Sequence, residues 1–342
     1  MVEPLCPYFG TCGGCALQHI EYPAQLEKKK ATLSRLINFN EIEIFSDTEY
    51  HYRNRMDFIF TKNGLGLRKK NNYKSLVEIN TCVISNKELN QILNEVNSFF
   101  KEIDYFDIPK KSGTFRYAVI RTPKGDSSVS FVLNEDSSRL NEATEKIEEF
   151  SKITSANNVI VVHVPANSDL SISESYFVVK GRELLQTTLG GKEFFFHSQG
   201  FFQNNSQVAE KMQRYCNSIL KSYTTQSAHL LDLYGGVGTF GIINSHLFKK
   251  TTIVEREQST IDVAKKNIAH NKSENTNAVA LEDKQIKKLD LSKPLYVITD
   301  PPRSGMHPQT IYHLNTLKPE LIIYISCNPI QLGKDIRKFK DY

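Results

Sequence analysis

No stretch of this 342-residue chain approaches the ~18 uninterrupted apolar positions of a membrane-spanning helix, and no basic segment precedes an apolar core at its N-terminus. Both absences point to a cytoplasmic protein with no membrane partner. Charge of one sign is also in short supply. Lys and Arg outnumber Asp and Glu by only 43 to 38, a surplus that permits an anionic partner without identifying one. Six cysteines in a chain this long, with no secretion signal, are better read as thiols or metal ligands than as a disulfide framework. Internal repeats, low-complexity tracts and Pro/Gly-rich linkers are missing, so a domain boundary can be read only from a change of rhythm. The 39% hydrophobic and 24% charged residues suffice to bury a sizeable core, divided between two domains.

The rhythm changes once. Short strands are expected at 52–60, 65–69 and 75–81, with a turn at Asn63-Gly64, then a helix over 88–100 and strands at 114–121 and 127–133. A helix over 142–150 and strands at 159–164, 176–179 and 193–197 complete an α+β half. Beyond Asn205 strand and helix alternate: strands at 229–233, 252–255, 278–281, 295–299 and 321–326, helices at 239–248, 260–271, 308–317 and from 330. Regular alternation of this kind predicts a doubly wound parallel sheet. The boundary falls between residues 1–197 and 198–342.

The first strand of the second half runs Leu230-Leu231-Asp232-Leu233-Tyr234 into Gly235-Gly236-Val237-Gly238-Thr239-Phe240-Gly241. Glycines let the backbone approach a ligand closely at the N-terminus of the next helix. Glu255, ending the following strand, can accept both hydroxyls of an adenosine ribose. Loop and acid together make a nucleoside-cofactor site. Gly236, Gly238 and Gly241 also satisfy the dinucleotide fingerprint, with Glu255 at nearly the expected distance, so NAD stays open on these residues alone.

Two later strand ends narrow the choice. One leads into Asp300-Pro301-Pro302-Arg303, where the prolines hold the chain extended and leave Asp300 over the cleft. Hydride transfer has no need of this element, whereas methyltransferases use an Asp-Pro-Pro here to line the site between S-adenosylmethionine and the acceptor. The other leads into Ser326-Cys327-Asn328-Pro329, a thiol just past a strand end, where open α/β sheets hold their ligands. Cys327 is either a small apolar filler or a nucleophile. Cys216, in a helical stretch with Tyr215 and Leu220, reads as core. At the other end of the chain, Cys6, Cys12 and Cys15 are spaced to wrap one soft metal centre, zinc or iron-sulfur, whose fourth ligand must come from afar.

Together these features resemble the RNA uracil-5-methyltransferase family, and the resemblance extends to Tyr52-Arg53-Asn54-Arg55-Met56-Asp57-Phe58 and Phe201-Phe202-Gln203-Asn204-Asn205. It implies a class I, Rossmann-like methyltransferase domain at 198–342, preceded by an α+β RNA-binding region with the cysteine cluster. It implies S-adenosylmethionine contacts from Gln203, Tyr234, Gly236, Thr239, Glu255, Asp283 and Asp300, and Cys327 as nucleophile. It also implies a [4Fe–4S] cluster, in preference to zinc, on Cys6, Cys12, Cys15 and Cys82. The chemistry accounts for the thiol. Carbon 5 of uracil is too weak a nucleophile to attack a sulfonium methyl group until a thiolate adds at carbon 6 and turns the ring into an enolate.

Family members carry a catalytic Glu, with the last strands of the sheet, in a segment after this cysteine. No such motif stands before Tyr342, so no general base is assigned, and a C-terminally incomplete domain is expected. The expected reaction is methylation of a uridine at carbon 5, with 23S rRNA as the leading substrate. The alternatives are a T-loop uridine of tRNA, or RNA binding without catalysis. Arg53, Arg55, Arg68, Lys69, Lys70, Arg116 and Arg121, interleaved with Tyr52, Phe58, Tyr73, Phe115 and Tyr117, are expected to hold single-stranded RNA. Phe201 and Phe202 are candidates to stack on a flipped base. No obligate protein partner is expected.

Overall fold

A computed structural model describes residues 2–340. The chain forms two compact units, one of Met1–Gln25, Asp47–Thr187 and His197–Ser206, the other of Leu26–Ser46, Thr188–Phe196 and Gln207–Tyr342. They do not follow a single cut at residue 198: residues 26–46 and 188–196 belong with the second unit, and 197–206 with the first.

Helix α1 (Tyr22–Ile37) leads out of the first unit, whose strands and helices then follow as β1 (Arg55–Phe60), β2 (Leu65–Lys69), β3 (Asn72–Glu78), α2 (Lys87–Phe99), β4 (Phe115–Arg121), β5 (Ser128–Asn134), α3 (Leu140–Ile153), β6 (Asn158–Val164) and β7 (Tyr176–Lys180). The strands form one seven-stranded sheet in the order β3-β2-β1-β4-β5-β6-β7. Every neighbouring pair is antiparallel except β5 with β6, which the crossover helix α3 joins. Helix α2 buries Leu89, Ile92, Leu93 and Val96, the apolar stripe of a 3.6-residue period, and Asn86 caps it by accepting from Leu89 N at 2.8 Å. The core under the helices is aromatic: Phe58, Phe60, Phe100, Phe115, Phe131 and Phe150 are all buried. Strands β4 and β5 are buried along their whole length.

A hairpin of β8 (Leu184–Leu189) and β9 (Lys192–His197) precedes α4 (Ser206–Lys221). The second unit continues with β10 (His229–Leu233), α5 (Thr239–Asn244), β11 (Lys250–Glu255), α6 (Gln258–His270), β12 (Thr276–Ala280), β13 (Leu295–Thr299), α7 (Pro308–Leu317), β14 (Leu321–Tyr324) and α8 (Pro329–Ile336). Its five strands are all parallel, ordered β12-β11-β10-β13-β14. Alternate residues feed two cores. Leu231, Leu233, Leu295 and Val297 pack on one face, while Leu230, Tyr296 and Ile298 pack on the other with Phe240 and Cys216. The expected helix over 239–248 is shorter: α5 stops at Asn244 and a tight turn, Ser245–Leu247, follows.

Candidate active site at the carboxyl edge of the parallel sheet

Strand order reverses between β10 and β13, and ligands of open α/β sheets bind outside the carboxyl ends of the strands at such a point. Tyr234 follows β10, Glu255 ends β11, Asp283 follows β12, Asp300 follows β13 and Cys327 lies three residues past β14. Parallel pairing therefore sets all five expected residues on one edge, in the order Asp283, Glu255, Tyr234, Asp300, Cys327. Neighbouring strands lie about 5 Å apart, so Glu255 and Cys327 sit roughly 14 Å from each other along the edge, enough for a nucleoside with a reactive arm.

The loop after β10 is held from two sides. Gly236 has φ +53°, and nothing lies within 4 Å of where its Cβ would stand. Its N–H donates to Glu255 Oε2 at 3.2 Å, which fixes the carboxylate beside the open backbone. Tyr234 also adopts the left-handed conformation, at φ +56°, an unusual state for a bulky side chain. Thr239, half-buried, starts α5 directly behind Gly238.

Asp232, inside β10, braces the glycine loop from below and was not among the expected residues. Its side chain is buried, and Oδ2 accepts from Gly241 N at 2.7 Å, which ties the strand to the first turn of α5. Burial, with the nearby charges of Asp300 and Glu255, pushes its carboxyl up to about 7 despite the Gly241 bond. The available signal was an acid in an otherwise apolar strand.

Asp283 accepts from Thr310 Oγ1 at 2.6 Å and from the Tyr234 hydroxyl. Burial raises this carboxyl, but the two hydroxyl donors outweigh it and hold it below its usual range. Burial followed by the Asp283 bond pushes the Tyr234 phenol up, so it stays a protonated donor. Asp300, half-buried, is raised by desolvation to about 6. The Cys327 side chain is exposed, between Ser326 and the helix cap Asn328, whose side chain donates to Arg303 O at 2.9 Å. Cys327 is thus no core filler, whereas Cys216 is buried and its thiol is pushed up to about 12 by desolvation.

Gln203 belongs to the first unit, where its carbonyl accepts from Asn54 Nδ2 at 3.2 Å. The same unit holds the four expected metal ligands. Cys6, Cys12, Cys15 and Cys82 line one cavity with Tyr8, Met56 and Ile79. Backbone bonds from Gly13 N to Arg68 O and from Lys70 N to Thr11 O fasten the cysteine loop to β2. Desolvation raises the Cys6 and Cys15 thiols, and neighbouring cysteines add to the rise. Among the described residues no three His, Cys, Asp or Glu side chains converge closely enough for a single metal ion.

Five of the twelve expected RNA-contacting residues are core. Phe58, Phe115 and Tyr117 are buried, as are Arg116 and Arg121, because β1 and β4 are central strands covered on both faces. Arg116 lies 4.0 Å from the Phe106 ring centroid and donates to the carbonyls of Pro165 and Ser168, and Arg121 donates to that of Gly200. These cations fasten loops and offer nothing to a phosphate. Lys69, Lys70 and Tyr73 are exposed on the β2–β3 hairpin, and Phe201 is exposed at 71%. Among the described residues no helix is long and apolar enough to cross a membrane.

Comparison with known proteins converges on one family. The sequence profile of tRNA (Uracil-5-)-methyltransferase matches residues 21–342. The tRNA (uracil(54)-C(5))-methyltransferase of Pyrococcus abyssi is 32% identical over 348 aligned residues, covering 100% of this chain and 80% of that protein. The Pyrococcus furiosus protein of the same name is 31% identical, covering 98% and 79%. The crystal structure of the Pyrococcus abyssi enzyme with S-adenosyl-L-homocysteine superposes with a TM-score of 0.80 at 29% identity, covering 96% of this chain and 80% of that one. A glycine loop whose open backbone lies beside the Glu255 carboxylate is compatible with that cofactor, and the comparisons set NAD aside. The chain belongs to the RNA uracil-5-methyltransferase family and is an RNA (uracil-5-)-methyltransferase that uses S-adenosylmethionine.

Proposed function

We propose that this enzyme methylates the T-loop uridine of tRNA, the position named for its Pyrococcus relatives, rather than 23S rRNA. The similarity to those tRNA (uracil(54)-C(5))-methyltransferases, over 80% and 79% of their length, carries the reading and favours the alternative substrate.

Glu255 binds the ribose hydroxyls, Gly236 and Thr239 pass their backbone along the cofactor, and Tyr234 and Asp283 close its far side. Bound S-adenosylmethionine supplies an electrophilic methyl group on a sulfonium. The Cys327 thiolate adds to carbon 6 of the uracil, and the electron pair of the 5,6 double bond moves toward carbon 5 and O4. Carbon 5 then takes the methyl group. A base removes the carbon 5 proton, the double bond re-forms and the carbon 6–sulfur bond breaks, which returns the thiolate. Asp300, on the strand next to that of Cys327, lines the acceptor side.

Cys6, Cys12, Cys15 and Cys82 would hold a [4Fe–4S] cluster. A single zinc ion needs its sulfurs about 2.3 Å from one point, whereas a cluster of four irons bridges a wider set. The cluster would act as a staple, since methyl transfer from a sulfonium needs no electron. Lys69, Lys70 and Tyr73 would meet the RNA, with phosphates on the ammonium groups and an unstacked base on the ring.

The test uses tRNA transcribed with 5-fluorouracil, because fluorine at carbon 5 cannot leave as a proton does and the covalent adduct accumulates. A cofactor-dependent adduct with tRNA, lost in Cys327→Ala and in tRNA lacking the T-loop uridine, is expected. Adducts confined to rRNA fragments would reject the substrate. An adduct that survives Cys327→Ala would reject the nucleophile.

A further inference from the structure

Asp335 takes no part in the steps above, yet its side chain is completely buried in α8. Groups from four places in the second unit surround its carboxylate. Met306 N donates to Oδ2 at 3.0 Å and the Tyr324 hydroxyl to the same oxygen at 2.9 Å. Gln331 Nε2 and Lys338 Nζ each reach Oδ1 at 3.0 Å. Met306 closes the loop that begins Asp300-Pro301-Pro302-Arg303, and Tyr324 is the last residue of β14, three before Cys327. A carboxylate is costly to bury unless paired and hydrogen-bonded. Here its partners are complete only when the loop after β13 and the turn after β14 lie together.

The loop is built for this approach. Gly305 has φ +81°, and a Cβ there would stand 2.3 Å from Asp335 Oδ2 and 2.5 Å from Gln331 Cγ. Glycine lets the backbone come close enough for the Met306 bond. A second tie runs beside the first. Asn328 Nδ2 donates to Arg303 O at 2.9 Å, while its Oδ1 accepts from Gln331 N at 3.3 Å. Cys327 is thus bracketed by Tyr324 on one side and Asn328 on the other, both bonded into this cluster.

We propose that Asp335 is a positioning residue of the methyl transfer: it clamps the Asp300–Arg303 loop to the turn bearing Cys327 and so fixes the sulfur relative to the acceptor site. The inference rests on Cys327 as nucleophile. Its effect is expected on the step in which sulfur meets carbon 6, since none of its four partners is an expected cofactor contact and its ties to the clamped loop, at Met306 and beside Arg303, lie away from Asp300 at the loop's start.

The experiment compares the full-length parent with Asp335→Asn and Tyr324→Phe. For each it measures the S-adenosylhomocysteine Kd by calorimetry, the tRNA Kd by filter binding, and the rate of adduct formation with 5-fluorouracil tRNA. Asp335→Asn is expected to slow adduct formation by about 100-fold, the cost of a misplacement near 1 Å, while both Kd values stay within about threefold of the parent. Tyr324→Phe, which removes one hydroxyl, is expected to slow the same step by less and to leave both Kd values alone. Parental adduct rates in both variants would overturn the proposal, as would losses of cofactor affinity that match the losses of rate. If Asp335→Asn does not fold, a parental rate in Tyr324→Phe is sufficient to reject it. An adduct in Cys327→Ala would remove the nucleophile itself, an outcome distinct from failure of the clamp.

Discussion

In the parallel sheet of the second unit every strand ends on the same edge, and Asp283, Glu255, Tyr234, Asp300 and Cys327 are gathered there by strand order alone. The first unit's sheet is antiparallel at all but one pairing, so successive strands end on opposite edges. Its chemistry-bearing residues meet by other means. Three cysteines of an N-terminal loop reach the fourth because backbone bonds fasten that loop to β2, beside β3 and Cys82. One sheet gathers its loops at a single edge, and the other spends its strands on a core of phenylalanines packed mostly edge-on or tilted. Substitutions in the first unit's core should therefore cost stability, and substitutions at the second unit's edge should cost affinity or rate.

The largest effect expected on this view is that of Phe60→Ala. Its ring is buried against Phe115, Phe100 and Phe131 at centroid distances of 5.2, 5.8 and 6.2 Å. Its truncation should destabilise the first unit by about 3–5 kcal/mol in denaturant unfolding, while folded protein keeps its S-adenosylhomocysteine Kd. A parallel fall in cofactor affinity would break the comparison. Next comes Glu255→Ala, which removes charge-assisted hydrogen bonds to the ribose. Calorimetry should show S-adenosylhomocysteine binding weakened by roughly 10- to 100-fold, with the first unit's unfolding midpoint unmoved. An unchanged affinity would remove Glu255 from the site.

The third test is a pH dependence. Burial raises Asp232 to about 7, far above the ~3.9 of an unfolded aspartate, so the folded state holds this proton more tightly. Its contribution to stability is complete below the unfolded value and is lost as pH rises toward about 7. Asp232→Asn, which does not titrate, should gain on the parent between about pH 4 and pH 7. Denaturation curves of the two proteins at several pH values measure the difference, and a constant difference would refute it.

The parallel strands were readable because they alternate with helical stretches, and because β11, β13 and β14 are short runs rich in Val, Ile or Thr. Helix α1 escaped notice because it buries no residue completely and so carries no clear apolar stripe. The RNA-contacting set was overdrawn for a related reason. Arg116 and Arg121 stand near the two ends of an otherwise uncharged β4, where cations commonly reach solvent, but loop carbonyls take up both guanidinium groups. Asp335 could not have been singled out, since an acid in a short helix looks the same whether it meets water or four protein donors.

The sequence by itself determined the reaction class, through its family motifs, and the sheet edge at which those motifs gather. A glycine loop, a ribose-binding acid, an Asp-Pro-Pro and a cysteine each follow a recognisable strand, and parallel strands deliver their ends together whatever lies between them. Tertiary structure alone decided which charges reach solvent and that a buried carboxylate joins the loop after β13 to the segment bearing Cys327. Those outcomes depend on burial and on contacts between residues far apart in the chain, for which no local pattern of residue types carries a signal.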